Sequence, residues 1–149
     1  MSQPTADSPT VIDEIQKDHR VIEALLDRVA TGAGEDRRRA FEELAQYLAK
    51  HEAAEQAVVR PEIELVDPDE AEHREAEEST ADEMIERLRA MDVDSPAFDQ
   101  LFARFRGAVL DHAKHEETEE HPELEANVPP ERLVEMAAEF TQAEEQAST

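Results

Sequence analysis

Cysteine and tryptophan are absent from this sequence of 149 residues, and no continuous apolar run is long enough to span a membrane. Without cysteine the protein has no disulfide bond, no thiolate metal ligand and no cysteine nucleophile. The first ten residues, MSQPTADSPT, contain neither the basic nor the apolar region of a secretory signal peptide. We therefore expect a cytoplasmic protein that does not associate with membranes.

Glycine and aromatic residues are also scarce, with three glycines and 4% aromatic residues. No segment alternates apolar and polar residues as a half-buried strand does, whereas apolar residues recur at the steps of three and four typical of helices. The length suits one domain with a core of ordinary size. These features predict an all-α protein of a single domain.

Basic residues are few relative to acidic residues, 15 against 39, which gives a net charge of −24. Proteins that bind nucleic acid neutralise phosphates with basic side chains, and anionic membrane surfaces attract the same side chains. The charge therefore argues against both nucleic acid and anionic membrane surfaces as partners. For the oligomeric state we expect a monomer or a weak dimer.

Four segments of about 20 residues carry the helical spacing, and short turn-forming stretches separate them. We predict helices over residues 10–30, 36–59, 67–91 and 96–121, and a short fifth helix that starts at Pro129-Pro130. Short connections make successive helices antiparallel, so residues 10–125 are predicted to form an up-down-up-down four-helix bundle. Residues 1–9 are predicted to be a disordered tail, and residues 126–149 to be the short C-terminal helix with a polar tail.

Each of the four long helices carries a histidine, and three of these are followed by a glutamate four residues later. The residues are His19, His51 with Glu55, His73 with Glu77, and His112 with Glu116. A spacing of four places both side chains of a pair on one helix face. On the second and fourth helices the pairs continue the apolar line that faces the core. Burying several carboxylates without partners is costly, so we predict that they share a cation and form a metal site, with two metal ions as the favoured number.

Imidazole and carboxylate ligands without sulfur suit iron, manganese or zinc. Two further residues have two interpretations each. Glu77 is either a metal ligand or a solvated glutamate of a Glu-rich helix. Tyr47 lies one turn before His51 on the same face, where its phenol either contacts the site, as a hydrogen-bond donor or iron ligand, or is an amphipathic residue at the bundle edge. For the third helix we predict a core-facing line of His73, Ala76, Glu77, Thr80, Met84, Leu88 and Met91.

These residues and their surroundings resemble the bacterial hemerythrin-like HHE cation-binding domains over about residues 10–125. The resemblance rests on His19, His51-Glu52-Ala53-Ala54-Glu55 with Pro61, Glu72-His73-Arg74-Glu75, and Asp111-His112-Ala113-Lys114-His115-Glu116-Glu117 with Pro122. It implies a non-haem centre of two iron ions with an oxo or hydroxo bridge. By this resemblance His19 and His51 serve one iron, His73 and His112 serve the other, and Glu55 and Glu116 bridge them.

The sequence departs from the oxygen-carrying hemerythrins at two places. Their third helix carries a second histidine where this chain has Glu77, and their last ligand pair is spaced by five with aspartate, whereas His112 and Glu116 are four apart. More carboxylate disfavours simple oxygen carriage. We therefore favour catalase-like removal of hydrogen peroxide, with reversible binding or sensing of dioxygen or nitric oxide, or an iron-responsive regulator, as the alternatives.

Overall fold

The computed structural model describes residues 8–148, and every regular element in that range is a helix. The elements are α1 (Val11–Thr31), α2 (Gly34–Ala54, a π-turn at Glu55–Val59, and Arg60–Val66), α3 (Pro68–Arg89), α4 (Pro96–His115, a π-turn at Glu116–Glu120, and His121–Asn127) and α5 (Pro130–Ala147). The predicted all-α bundle with a fifth helix is confirmed. The tail predicted for residues 1–9 lies, for residues 1–7, outside the described part of the chain. None of the helices in the described range is long and apolar enough to cross a lipid bilayer.

Side chains that accept backbone hydrogen bonds define three of the helix starts. Thr10 and Asp13 form a reciprocal capping box at the start of α1, with distances of 2.9 and 3.3 Å. Asp67 caps α3 by accepting from the N–H of Glu70 at 3.1 Å, and Ser95 caps α4 in the same way. These caps end the connections abruptly, so successive helices turn back on each other.

Both α2 and α4 continue through a proline, and the prediction that they end near Val59 and before Pro122 is wrong. In each helix a π-turn directly precedes the proline-containing segment. The N–H of Arg60 donates to the carbonyl of Glu55, and the N–H of His121 donates to that of Glu116. Proline in a regular α-helix clashes with the carbonyl four residues earlier, and the wider turn places the chain so that the helix can continue.

Two apolar clusters fill the bundle, and a layer of buried polar residues separates them. One cluster is centred on aromatic residues of α2 and α4, including Phe41, Phe98 and Phe105. The other lies at the opposite end, where α5 packs Met136 and Phe140 against the two ends of α1 and α2 that meet there. Along α1 the change of environment is visible in a few residues, because apolar positions flank Asp18 and His19 on both sides.

The buried face of α3 differs from the predicted one. Its buried residues are Glu70, Ala71, Arg74, Glu78, Ala81, Ile85 and Leu88. His73, Ala76 and Thr80, which the pattern placed on the core face, are exposed. The helix is rich in Glu and Ala and has no long apolar line, so its sequence does not define one face by periodicity. Consequently α3 directs Arg74, rather than His73, into the bundle.

Candidate metal centre

Five of the predicted ligands converge in the buried polar layer, from α1, α2 and α4. Nε2 of His19 lies 3.0 Å from a carboxylate oxygen of Glu116. Nε2 of His51 lies 2.6 Å from Glu55, and Nε2 of His112 lies 3.5 Å from Glu116. Both carboxylates are completely buried, and the His112 side chain is 15% exposed. The structure therefore brings these three imidazoles and two carboxylates to one place.

The five residues fall into two overlapping sets whose ligand atoms lie within 4.8 Å of one another. The first ligand group is His19, His51 and Glu116, and the second ligand group is Glu55, His112 and Glu116. Glu116 belongs to both groups, so its two oxygens can serve two neighbouring cations. The first group is entirely buried, whereas the second includes the partly accessible His112.

Several atoms aimed into the centre have no hydrogen-bond partner. These atoms are Nε2 of His112, Oε2 of Glu55 and Oε2 of Glu116, whereas Nε2 of His51 and Oε1 of Glu55 form an ion pair at 2.6 Å. A buried polar atom without a partner costs on the order of 1–3 kcal/mol, and more when it is charged. Metal cations coordinated by these imidazole nitrogens and carboxylate oxygens would supply the missing partner to each of these atoms. The composition of the ligand set fits iron.

The two central carboxylates have opposite protonation tendencies in the metal-free protein. Burial by itself raises the pKa of Glu55, but the neighbouring charge of His51 outweighs it and the pKa is lowered well below its usual range. At Glu116 burial and the charge of Glu55 act together and raise the pKa well above its usual range. A bound cation removes the need for the proton on Glu116, so metal binding and proton release are coupled here.

A carboxylate holds the outer nitrogen of two of the imidazoles. Nδ1–H of His51 donates to Asp18 at 2.8 Å, and Nδ1–H of His112 donates to Glu77 at 2.9 Å. Such contacts fix the tautomer and direct Nε2 towards the metal in metalloproteins. Glu77 thus lies behind His112, and it does not belong to either ligand group. Tyr47, the other uncertain residue, donates its phenol O–H to Asp18 at 2.7 Å.

The inner face of α3 contributes ion pairs, and His73 lies exposed outside the cluster. Arg74 contacts Glu70 at 3.1 Å and Glu77 at 3.0 Å, with 5% of its side chain exposed. Nearby, Arg60 of α2 contacts Glu78 at 2.6 Å. Arg74 of α3 and Arg60 of α2 thus balance the charge of carboxylates around the centre. The third helix supplies an arginine where the resemblance implied an imidazole.

Besides the ion-paired residues on and near α3, sequence reasoning missed Asp18, Glu120 and His121 in this layer. Asp18 resembles any helix-surface aspartate in sequence, and no pattern identifies it. Glu120 and His121 are 0% and 2% exposed, and the ring of His121 stacks on that of His19 at 6.4 Å between centroids. A signal for them exists, because the spacing from His51 through Glu55 to Pro61 recurs from His112 through Glu116 to Pro122. The recurrence indicates that both helices continue beyond the glutamate and keep contact with the bundle there, which includes Glu120 and His121 on α4.

A cavity of about 30 Å³ adjoins both ligand groups. Its polar lining residues are His19, His51, His112, Glu23, Glu52, Glu77 and Glu78, and its apolar lining residues are Ile22, Leu48, Ala81, Val109, Leu110 and Ala113. This volume holds one or two molecules of the size of water. Burial, followed by the charges of Asp82 and Glu78, raises the pKa of Glu52 to about 9, so this carboxyl keeps its proton at neutral pH.

In this protein a helical bundle encloses histidine and carboxylate ligands between two apolar clusters. Such an arrangement is typical of metal-binding helical-bundle proteins. The family model described as the hemerythrin HHE cation binding domain matches residues 10–124. The chain therefore belongs to this family, whose members bind metal, specifically iron. A solved structure, a hemerythrin HHE cation binding domain-containing protein from Mycobacterium kansasii, is 20% identical and has a TM-score of 0.81, covering 94% of this chain and 88% of that one. At this identity the likeness shows the fold, and no curated protein matches the sequence.

Proposed function

We propose that the protein holds two non-haem iron ions and removes hydrogen peroxide, converting two molecules of peroxide into two of water and one of dioxygen. The first ligand group would hold one iron and the second ligand group the other, with Glu116 shared. The observation that carries the proposal is the small cavity that adjoins both groups at once. All the ligands come from one chain, so the site needs no second subunit.

Iron supplies the redox change in this reaction when it is bound, and the protein's own residues supply the rest. Glu52 lines the cavity with a carboxyl that is protonated at neutral pH, and it can donate that proton to a departing oxygen. The apolar lining of the cavity, which includes Leu48 and Val109, excludes bulk water from the ligand. The volume also limits the substrate, because an organic hydroperoxide exceeds the available space.

The test measures dioxygen release from hydrogen peroxide by the iron-loaded protein and by free iron at equal concentration. We expect the protein to be faster by at least tenfold, and tert-butyl hydroperoxide to be consumed much more slowly than hydrogen peroxide. Glu52→Gln should lower the rate while the iron content stays the same. Glu125→Gln, which alters an exposed glutamate of α4, is the matched control. Equal rates for protein and free iron would end the proposal.

A second function, reversible binding of dioxygen or nitric oxide, is favoured by the apolar lining of the cavity. Ile22, Leu48 and Val109 suit a diatomic ligand without protons of its own. In that case the reduced protein would form a stable, coloured adduct with the gas, and peroxide would be turned over slowly or not at all. Absorption spectra of the reduced protein under dioxygen and under nitric oxide decide between the two functions.

A third function, iron-responsive regulation, is favoured by the excess of buried acid. Five glutamates are less than 9% exposed in the polar layer, namely Glu55, Glu70, Glu78, Glu116 and Glu120, against the two buried arginines Arg60 and Arg74. A fold that depends on iron for charge balance would loosen when iron is removed. Chelation followed by limited proteolysis is the test, and a protease-resistant metal-free protein would remove this alternative.

A further inference from the structure

The two ligand groups differ in the carboxylate behind one imidazole of each, namely the one behind His51 in the first group and the one behind His112 in the second. The side chain of Asp18, which receives Nδ1–H of His51, is 9% exposed, and the His51 side chain is 4% exposed. Glu77, which receives Nδ1–H of His112, is 27% exposed, and the His112 side chain is 15% exposed. A carboxylate held in a buried position keeps its imidazole in one orientation, whereas an exposed one can move with solvent.

Asp18 is itself held by two side chains of α2. The phenol of Tyr47 donates to one carboxylate oxygen at 2.7 Å, and His51 donates to the other at 2.8 Å. A carboxylate oxygen of Glu144 on α5 lies within 4.8 Å of the nearest ligand atoms of Asp18 and His51. Two donors therefore hold one buried carboxylate.

The fifth helix also closes the ring face of His51. Phe140 is completely buried, and its ring meets the imidazole edge-on with 5.8 Å between centroids. Helix α5 thus contributes a packing surface to this side of the centre. On the other side, Glu77 is shared among His112, His115 at 2.6 Å and Arg74 at 3.0 Å. His115 is 41% exposed, so competing contacts and solvent both act on Glu77.

From this asymmetry we propose that the two metal positions have unequal affinity, and that Asp18 is the positioning residue responsible. The first ligand group, anchored through Asp18, binds iron tightly and fills first. The second ligand group, anchored through Glu77, binds iron weakly, fills second and exchanges it. The inference rests on the proposed function, because it presupposes two iron ions per chain.

The experiment is anaerobic calorimetric titration of the metal-free protein with Fe²⁺, with iron per chain measured on the same samples. We expect two separable binding events. Asp18→Asn should weaken the tighter event by 10- to 100-fold, the usual effect of losing a carboxylate behind a metal-binding histidine, and leave the weaker event unchanged. Glu77→Gln should act only on the weaker event. The matched control is Asp111→Asn, since Asp111 precedes His112 as Asp18 precedes His19 but is exposed.

A second variant protects the test against misfolding of Asp18→Asn. Tyr47→Phe removes one hydrogen bond to Asp18 and should weaken the same tighter event by a smaller factor, with an unchanged circular dichroism spectrum. Two events of equal affinity in the wild-type protein, or a loss of the weaker event in Asp18→Asn, would overturn the inference and leave the di-iron proposal standing. Fewer than two iron ions per wild-type chain would instead overturn the di-iron proposal itself.

Discussion

Raising the pH should destabilise the metal-free protein between pH 7 and pH 8. Burial and the charge of Glu55 raise the pKa of Glu120 to about 8. Burial lowers the pKa of His51, but the charge of Glu55 and the hydrogen bond to Asp18 outweigh it and raise the value to about 10. Both groups therefore hold protons in the folded protein that they release in the unfolded chain.

The sign and size follow from linkage between folding and protonation. The stability from Glu120 is complete below its unfolded pKa of 4.5 and is lost as the pH rises through about 8. The stability from His51 is complete below 6.5 and is lost as the pH rises through about 10. Each group loses at most about 1.4 kcal/mol per pH unit, so these two groups lower the free energy of unfolding by roughly 2 kcal/mol between pH 7 and pH 8. Glu52, whose pKa is also raised to about 9, adds to this loss.

Urea unfolding followed by circular dichroism, in the presence of a chelator, measures this change. A loss of roughly 2 kcal/mol lowers the urea midpoint by roughly 1 M for a protein of this size. Glu120→Gln should remove about 1 kcal/mol of this loss, and Glu125→Gln none of it. The iron-loaded protein should show the opposite trend, because deprotonated ligands bind metal better at higher pH. A metal-free protein whose midpoint stays constant or rises from pH 7 to pH 8 would refute the reasoning.

Three further changes test the core, the ion pairs and the ligand assignment. Phe105→Ala empties a fully buried site and should cost about 3–5 kcal/mol in urea unfolding, whereas Leu65→Ala, at an 81% exposed position, should change stability by less than about 0.5 kcal/mol. Arg60→Met leaves Glu78 buried without its partner and should cost about 3–5 kcal/mol at neutral pH, less in acid where Glu78 is protonated. His73→Ala should leave the iron content per chain unchanged because His73 is exposed, whereas His112→Ala should lower it; elemental analysis measures both.

The residues of α2 and α4 could be placed from the sequence because large apolar side chains define one face of each helix. Phe41, Leu44 and Leu48 follow steps of three and four, and the same line reaches His51 and Glu55. All five are buried in the structure. A polar residue that continues such a line faces the core like its apolar neighbours. The convergence of the ligand side chains of α1, α2 and α4 could therefore be predicted.

The inner face of α3 could not be placed in this way. Arg74 and Glu78 are four residues apart, the spacing of an ordinary solvated ion pair on a helix surface, yet both are buried. Only the neighbouring helices reveal that they face Arg60 and the carboxylates of the centre. The carboxylates behind the imidazoles were equally hidden, because Asp18 and Glu77 acquire their roles from contacts across the bundle.

The π-turns divide α2 and α4 each into two helical segments with separate registers. One additional residue in a helical turn rotates everything that follows by about 100° relative to an uninterrupted helix. Beyond the π-turn of α2, Val59 and Ile63 pack in the apolar cluster that contains Met136 and Phe140. Removing a single residue from either π-turn would leave a regular helix whose distal end presents the wrong side to its neighbours. The two ends of the molecule can consequently change in sequence separately, while the turn between them keeps both facing inward.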